Sequence, residues 1–212
     1  VIYLLTALLL GGFGNYLIPL MVGARDMVFP FMNMLSFWFY LLSVIVLLAS
    51  FFVPGGPTGA GWTLYPPQAI LPGTPGYDWG IILMLVSLVI FIIAFTMGGL
   101  NYVTTVLQAR THGMTLMRMP LTVWGIFTAT VLGLLAFPAL LVSAIMMMLD
   151  KTLGTSFFMP ALVSLGESLA HSGGSPVLLP HLFWFSGHPD VYRVALPDSG
   201  RVPDVRATHA RK

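Results

Sequence analysis

The residues of this chain that could carry chemistry lie close together near its C-terminal end, in the stretch 181–192. If that stretch is helical, Trp184, His188 and Tyr192 are spaced four residues apart and line one face. Asp190 lies about 200° round the helix axis from His188 and faces other neighbours. Imidazole, phenol and carboxyl groups are costly in lipid and occur there mainly facing a bundle interior, a metal ion or a water path. These residue types alone leave open a metal ligand or a hydrogen-bonded histidine between helices.

The composition is that of a membrane protein. Of the 212 residues, 57% are hydrophobic and 8% are charged, whereas a soluble domain carries about 25% charged residues. The chain has no cysteine, which excludes disulfides, thiolate metal sites and thiol catalysis. It also has no Walker loop or dinucleotide fingerprint, and we expect no nucleic-acid partner. Val1 lies inside an apolar segment, so the chain is expected to begin within a longer protein.

Hydropathy predicts an all-α, polytopic transmembrane helix bundle with five membrane spans. The predicted spans are residues 1–22, 31–53, 79–107, 121–149, and a last one that begins near Pro176 and carries His188. Pro138 is expected to kink the fourth span. A Gly/Pro-rich loop follows the second span, and its aromatic residues suit a membrane interface. The cluster 11–14, Gly-Gly-Phe-Gly, would allow close approach of a neighbouring helix.

Loop charges predict the orientation of these spans. If the spans alternate, the turn 23–30, the loop 108–119 and the C-terminal tail share one side. The cations on that side are Arg25, Arg110, Arg118, Arg201, Arg206, Arg211 and Lys212, whereas the opposite side has only Lys151. The positive-inside rule then places the basic side, including the tail, in the cytoplasm or the mitochondrial matrix.

Uncharged polar residues lie within the predicted spans: Asn15, Asn33, Ser36 and Asn101. Such residues usually form hydrogen bonds between membrane helices. The alternative is a wet path in which Asp26, at the inner mouth of the first two spans, collects protons and Asp190 receives them. Composition leaves both alternatives open.

Several motifs resemble one family. Residues 184–192 read Trp-Phe-Ser-Gly-His-Pro-Asp-Val-Tyr, which resembles the sixth transmembrane helix of subunit I of the haem–copper respiratory oxidases, roughly W-F-F-G-H-P-E-V-Y. Residues 11–24 are similar to the end of helix II, and residues 26–38 to the turn and opening of helix III. The motifs Gly-Trp-Thr at 61–63 and Tyr-Pro-Pro at 65–67 match an outer loop of that subunit. The resemblance implies helices II–VI of a twelve-helix subunit over residues 1–197, followed by a divergent polar tail at 198–212.

The resemblance also implies roles for single residues. His188 would bind copper B. Tyr192 would be cross-linked to His188 and would be catalytic. Asp26 would be the entrance of a proton pathway that continues to Asp190, with its lining residues at Asn15, Asn33, Ser36 and Asn101. Trp62 would lie near a haem propionate and Trp184 beside the copper site. The complete subunit would hold two haems and copper.

The implied function is that of a terminal respiratory oxidase, which reduces O2 to water with electrons from cytochrome c and translocates protons. The implied partners are oxidase subunits II and III, cytochrome c or quinol, O2 and the lipid membrane. The bacterial plasma membrane is favoured, with the mitochondrial inner membrane as the alternative. A quinol oxidase of the same superfamily is the alternative function, and Tyr192 disfavours a nitric oxide reductase. From another class, the chain could be a proton-coupled transporter or an inactive fragment.

The sequence departs from the family pattern at several places. Asp190 stands where the family usually has glutamate, and its side chain reaches about 1.5 Å less far. Residues 94–95 are Ala-Phe where the family has a serine pair. Arg193 falls within the last span, where an unpaired arginine costs at least about 2.5–3.5 kcal/mol. The remaining histidines are His112, His171, His181 and His209, and none of them matches a ligand position. This chain alone is therefore expected to be inactive.

Overall fold

The computed structural model describes residues 2–158 and 174–210, and within these ranges all regular structure is helical, with no strand. The elements are α1 (Ile2–Leu5), a π-helix (Thr6–Gly12), α2 (Phe13–Val22), α3 (Pro30–Ala49), α4 (Trp79–Gln108), a short 3-10 turn (Leu116–Arg118), α5 (Leu121–Leu153) and α6 (Leu178–His209). The prediction of an all-α fold is confirmed.

Four helical segments of the described chain are long and apolar enough to cross a membrane: Tyr3–Val22, Pro30–Ala49, Trp79–Gln108 and Leu121–Leu153. They coincide with the first four predicted spans. Helix α6 has 32 residues, or about 48 Å at 1.5 Å per residue, which is long enough to span a bilayer. It is not one of these four apolar segments, so the fifth span stays a prediction. α6 continues without a break across the predicted boundary at residue 197.

The chain forms two compact units. Unit 1 comprises Val1–Trp38, Ile93–Ala136 and Gly187–Lys212, and unit 2 comprises Phe39–Ile92 and Phe137–Ser186. The core of unit 1 consists of the buried residues Leu10, Ile18, Val22, Met27, Tyr102, Val106, Met119, Val123, Ile126 and Ala129. These side chains come from the π-helix, α2, α4, α5 and the segments between them, so apolar burial holds the helices of unit 1 together.

In unit 1, α6 packs antiparallel along the first half of α5. The Asp204 carboxylate accepts hydrogen bonds from the backbone N–H and the hydroxyl of Thr122, at 2.8 and 2.7 Å, at the start of α5. Further along, Gly125 lies against the carbonyl of Leu196, and Gly133 lies beside Arg193. Residue numbers thus rise on one helix as they fall on the other. The polar second half of α6 therefore lies beside an apolar candidate span.

Replacing Gly125 with alanine is expected to destabilise the protein. A methyl group at this position would lie 2.5 Å from the carbonyl oxygen of Leu196, and a backbone atom cannot move aside as a side-chain tip can. Overpacking of this kind costs about 1–3 kcal/mol. Thermal unfolding of the full-length subunit measures the loss. Gly11→Ala is the control, because a methyl group there would lie 4.0 Å from the nearest contacting atom, the carbonyl oxygen of Thr6. Equal losses of stability in both variants would contradict the close α5–α6 contact.

Unit 2 is organised by contacts among α3, α4 and α5. The Ser87 hydroxyl donates to the carbonyl of Ser43 at 2.6 Å, linking α4 to α3. The ring of Phe91 contacts those of Tyr40 and Phe137, with centroids 6.4 and 6.1 Å apart. In the last turn of α5, the buried carboxylate of Asp150 accepts hydrogen bonds from the backbone N–H groups of residues 157 and 158, at 2.9 and 2.8 Å. Asp150 therefore fixes the path of the chain beyond α5.

Candidate functional site

The His188 and Tyr192 rings lie one turn apart on α6 and contact each other. Their centroids are 5.2 Å apart and the ring planes are inclined at 79°, an edge-to-face arrangement. In this chain both side chains are exposed, Tyr192 by 51%. Residues four apart in a helix are neighbours, and the structure brings these two rings together on the face that the spacing predicted.

The chain offers few ligands for a metal ion. Among residues 2–158 and 174–210, no cluster of three or more His, Cys, Asp or Glu side chains could hold one. A neutral imidazole suits copper, so the exposed His188 fits the place of a single ligand. The remaining ligands of a copper site would come from outside the described residues.

The two predicted cofactor-adjacent tryptophans meet in an aromatic cluster of unit 2, formed by Trp62, Tyr65, Phe183 and Trp184. The ring centroids of Trp62 lie 5.1 Å from Phe183 and 6.4 Å from Trp184. The Trp184 indole N–H donates to the Tyr65 hydroxyl. Sequence reasoning gave no role to Phe183 or Tyr65, although Tyr65 begins one of the quoted loop motifs. Trp62 and Trp184 are 53% and 45% exposed, so the cluster presents aromatic surface that a flat apolar group could cover.

Asp190 forms an ion pair with Arg193, one turn further along α6. Arg193 is 1% exposed, and its guanidinium also donates to the Thr6 hydroxyl at 3.0 Å. The guanidinium carbon lies 4.8 Å from the ring centroid of Phe95. Arg193 is therefore not an unpaired arginine in the described chain. Its guanidinium contacts Asp190 one turn away, and Thr6 and Phe95 from distant parts of the sequence.

Asn101 on α4 is bonded to the turn that precedes α3. It is fully buried; its side-chain oxygen accepts from the backbone N–H of Phe29 at 2.9 Å, and its NH2 group donates to the Phe29 carbonyl at 3.2 Å. One turn along α4, the Thr105 hydroxyl accepts from the N–H of Val28 at 3.0 Å. Each such bond contributes about 0.5–1.5 kcal/mol net. Asn101 thus ties α4 to the turn before α3, the linking role that polar residues commonly have in membrane helices.

The other predicted pathway residues are in varied surroundings. Asn15 donates to the carbonyl of Gly11 at 2.6 Å, while its buried side-chain oxygen has no hydrogen-bond partner among the described residues. The Ser36 hydroxyl donates to the Asn33 carbonyl at 2.7 Å. Asp26 is exposed in the turn between α2 and α3 and accepts from the N–H of Met27 at 2.7 Å. Besides Asp190, the predicted pathway residues are Asp26, Asn15, Asn33, Ser36 and Asn101. In the described chain, the only hydrogen bond between two of these five is that from Ser36 to Asn33.

Tyr102 and the π-helix were missed by sequence reasoning. The buried Tyr102 hydroxyl donates to the carbonyl of Leu10 at 2.6 Å and approaches that of Gly11 at 3.1 Å. A methyl group on Gly14 would lie 3.2 Å from the Tyr102 ring, which confirms close approach at the glycine cluster. Tyr102 is an ordinary aromatic residue in an apolar run, so only the three-dimensional contact reveals its role.

The remaining histidines lie apart from the His188–Tyr192 pair in the chain. His112, His181 and His209 are exposed. The His209 ring nitrogen lies 3.0 Å from the carbonyl of Val205, within its own helix. His171 lies outside the described residues.

Long apolar helices and a histidine–tyrosine pair on a further helix define an integral membrane protein of the helical-bundle class. The model of the family described as Cytochrome C and Quinol oxidase polypeptide I matches residues 1–212, and the chain belongs to this family. The matched range includes the tail predicted to be divergent.

Named relatives agree with this assignment. The chain is 76% identical over 212 residues to the alternative cytochrome c oxidase subunit 1 of Bradyrhizobium diazoefficiens, covering all of the chain and 36% of the relative. It is 42% identical over 208 residues to cytochrome c oxidase subunit 1 of Cereibacter sphaeroides, covering 96% of the chain and 34% of the relative. For the same subunit of Eremothecium gossypii the identity is 39% over 212 residues, covering 100% and 37%. The chain thus spans about a third of the length of these relatives.

Proposed function

We propose that this chain is part of the catalytic subunit of a terminal oxidase that reduces O2 to water with electrons from cytochrome c and translocates protons. Membership of the oxidase family over residues 1–212 carries this proposal. The edge contact of His188 with Tyr192 supports it, because it puts an imidazole ligand beside a phenolic proton. The family description also names quinol oxidases, so a quinol donor stays as the second candidate.

In the complete subunit, His188 would provide one nitrogen ligand to copper B. Copper and two haems would supply the oxygen chemistry, while the protein positions them and delivers protons. Tyr192 is the catalytic residue of this proposal: it holds a phenolic proton one turn from the ligand. Trp62 and Trp184 would cover the faces of neighbouring cofactors with the exposed aromatic surface of their cluster.

The proposed proton pathway begins at Asp26, which is exposed and can exchange protons with water. Asn15 supports an internal water, because its buried side-chain oxygen has no hydrogen-bond partner in the described chain. Asn33, Ser36 and Asn101 would line the path, and Asp190 would pass protons on.

We place the protein in the bacterial plasma membrane, with its C-terminal tail on the cytoplasmic side. The 76% identity to a bacterial relative supports the membrane. The hydrogen bonds from Thr122 to Asp204 support the cytoplasmic location of the tail. They hold the end of α6 to the start of α5, next to the basic loop 108–119, and basic loops favour the cytoplasmic side. Oxidase subunits II and III, cytochrome c and O2 are the proposed partners.

The test is a spectrum and a metal analysis of the complete purified complex. Reduced-minus-oxidised spectra should show haem, metal analysis should show copper, and oxygen uptake should follow addition of reduced cytochrome c. Uptake with quinol alone would favour the second candidate. A complex without haem or copper that couples solute movement to protons would instead favour a transporter.

A further inference from the structure

We propose that Arg193 is a positioning residue that clamps the Asp190 carboxylate against the π-helix, so that this acid acts from one fixed place. For its consequence in proton transfer, the proposal rests on the proposed oxidase function. The clamp itself rests on contacts within unit 1.

The guanidinium of Arg193 bridges two elements. It forms the ion pair with Asp190 on its own helix and donates to Thr6 at 3.0 Å in the π-helix. The three side chains are 1%, 16% and 5% exposed in the order Arg193, Asp190 and Thr6. A cation this deeply buried is costly to move away from its anion. Its hydrogen bond to Thr6 links this ion pair of α6 to the π-helix.

Residues of α4 and α5 also accommodate the Arg193 side chain. Phe95 of α4 presents its ring face 4.8 Å from the guanidinium carbon, a favourable cation–π distance. On α5, Gly133 leaves the space that the arginine stem needs, since a methyl group there would lie 3.2 Å from Arg193 Cδ and 2.5 Å from the Phe95 ring. Residues of four elements therefore surround the Arg193 side chain: α6, the π-helix and α4 contact its guanidinium, and α5 lies beside its stem.

A clamped acid differs from a mobile one. An aspartate side chain is short, and its carboxylate can leave this guanidinium only by leaving a buried cation without its anion. Asp190 is thus tied to the side of α6 that meets Thr6. Displacing it by about 1 Å would slow a proton-transfer step, because positioning errors of that size cost up to about a hundredfold in rate.

The stability test compares Arg193→Met, Asp190→Asn and the double variant in the full-length subunit of the assembled complex. Each single variant leaves one member of a largely buried ion pair without the other, so the half-life at a fixed elevated temperature should fall by about tenfold or more. The double variant should recover to within about threefold of the parent, since replacing a whole buried pair is often neutral. Arg206→Met, the same change at an exposed position of α6, should have no effect. Losses that simply add would overturn the clamp.

The positioning test uses Thr6→Val, which removes only the hydroxyl that anchors Arg193. The rate of proton uptake, followed with a pH dye, should fall about three- to tenfold with haem spectra unchanged. Thr104→Val is the matched control, because its hydroxyl donates to the carbonyl of Leu100 in its own helix at 2.8 Å. An unchanged rate in Thr6→Val would overturn the positioning role. If the parent complex lacked haem and copper, the oxidase function would fail, whereas the stability test would still decide the clamp.

Discussion

Replacing His188 with alanine in the full-length subunit is expected to remove copper and to lower O2 reduction by more than about a hundredfold. Loss of a residue that merely supports a metal ligand costs about 10–100-fold in affinity or activity, and loss of the ligand itself should cost more. The fold should survive, because His188 is exposed in this chain and its ring contact is with Tyr192 on the same helix.

Copper content per haem and oxygen uptake together measure this effect. His181→Ala is the matched control: it removes an exposed imidazole from the same helix, two turns earlier, and should change neither quantity. A His188→Ala complex that retained its copper would show that this histidine is not a ligand, whatever its activity.

The sequence was sufficient where local physics decides the outcome. Long uncharged apolar runs must form helices in a membrane because every backbone polar group needs an internal partner, and the first four spans agree with the structure. The contact between His188 and Tyr192 also follows from local geometry, since residues four apart in a helix are neighbours.

The sequence was insufficient where residues distant in the chain decide the outcome. Thr6 is 187 positions from Arg193, so no local pattern indicated that the charge had a second partner. Asn101 and Phe29 are similarly separated. The polar composition after residue 197 predicted a divergent tail, but it did not indicate that α6 continues to His209 or that Arg201 and Asp204 have partners on neighbouring segments. For example, Arg201 donates to the Leu9 carbonyl at 3.0 Å.

Replacing Tyr192 with phenylalanine is expected to lower O2 reduction by about a hundred- to ten-thousandfold while copper and stability are unchanged. The ring that contacts His188 edge-on is retained, and only the hydroxyl is lost. A group that donates a proton in the rate-limiting step contributes about 10²–10⁴-fold. Tyr16→Phe is the control, because Tyr16 is 68% exposed on α2 and is assigned no role in the reaction.

The two variants separate ligand binding from proton donation. His188→Ala should lose copper, whereas Tyr192→Phe should keep it and fail at oxygen chemistry. In the double variant the losses should not add, because residues that act as one unit are grossly non-additive. If Tyr192→Phe turned over at the parent rate, its phenol would serve packing only. The pair would then amount to a copper ligand with an aromatic neighbour, and the catalytic proton would have to come from elsewhere in the subunit.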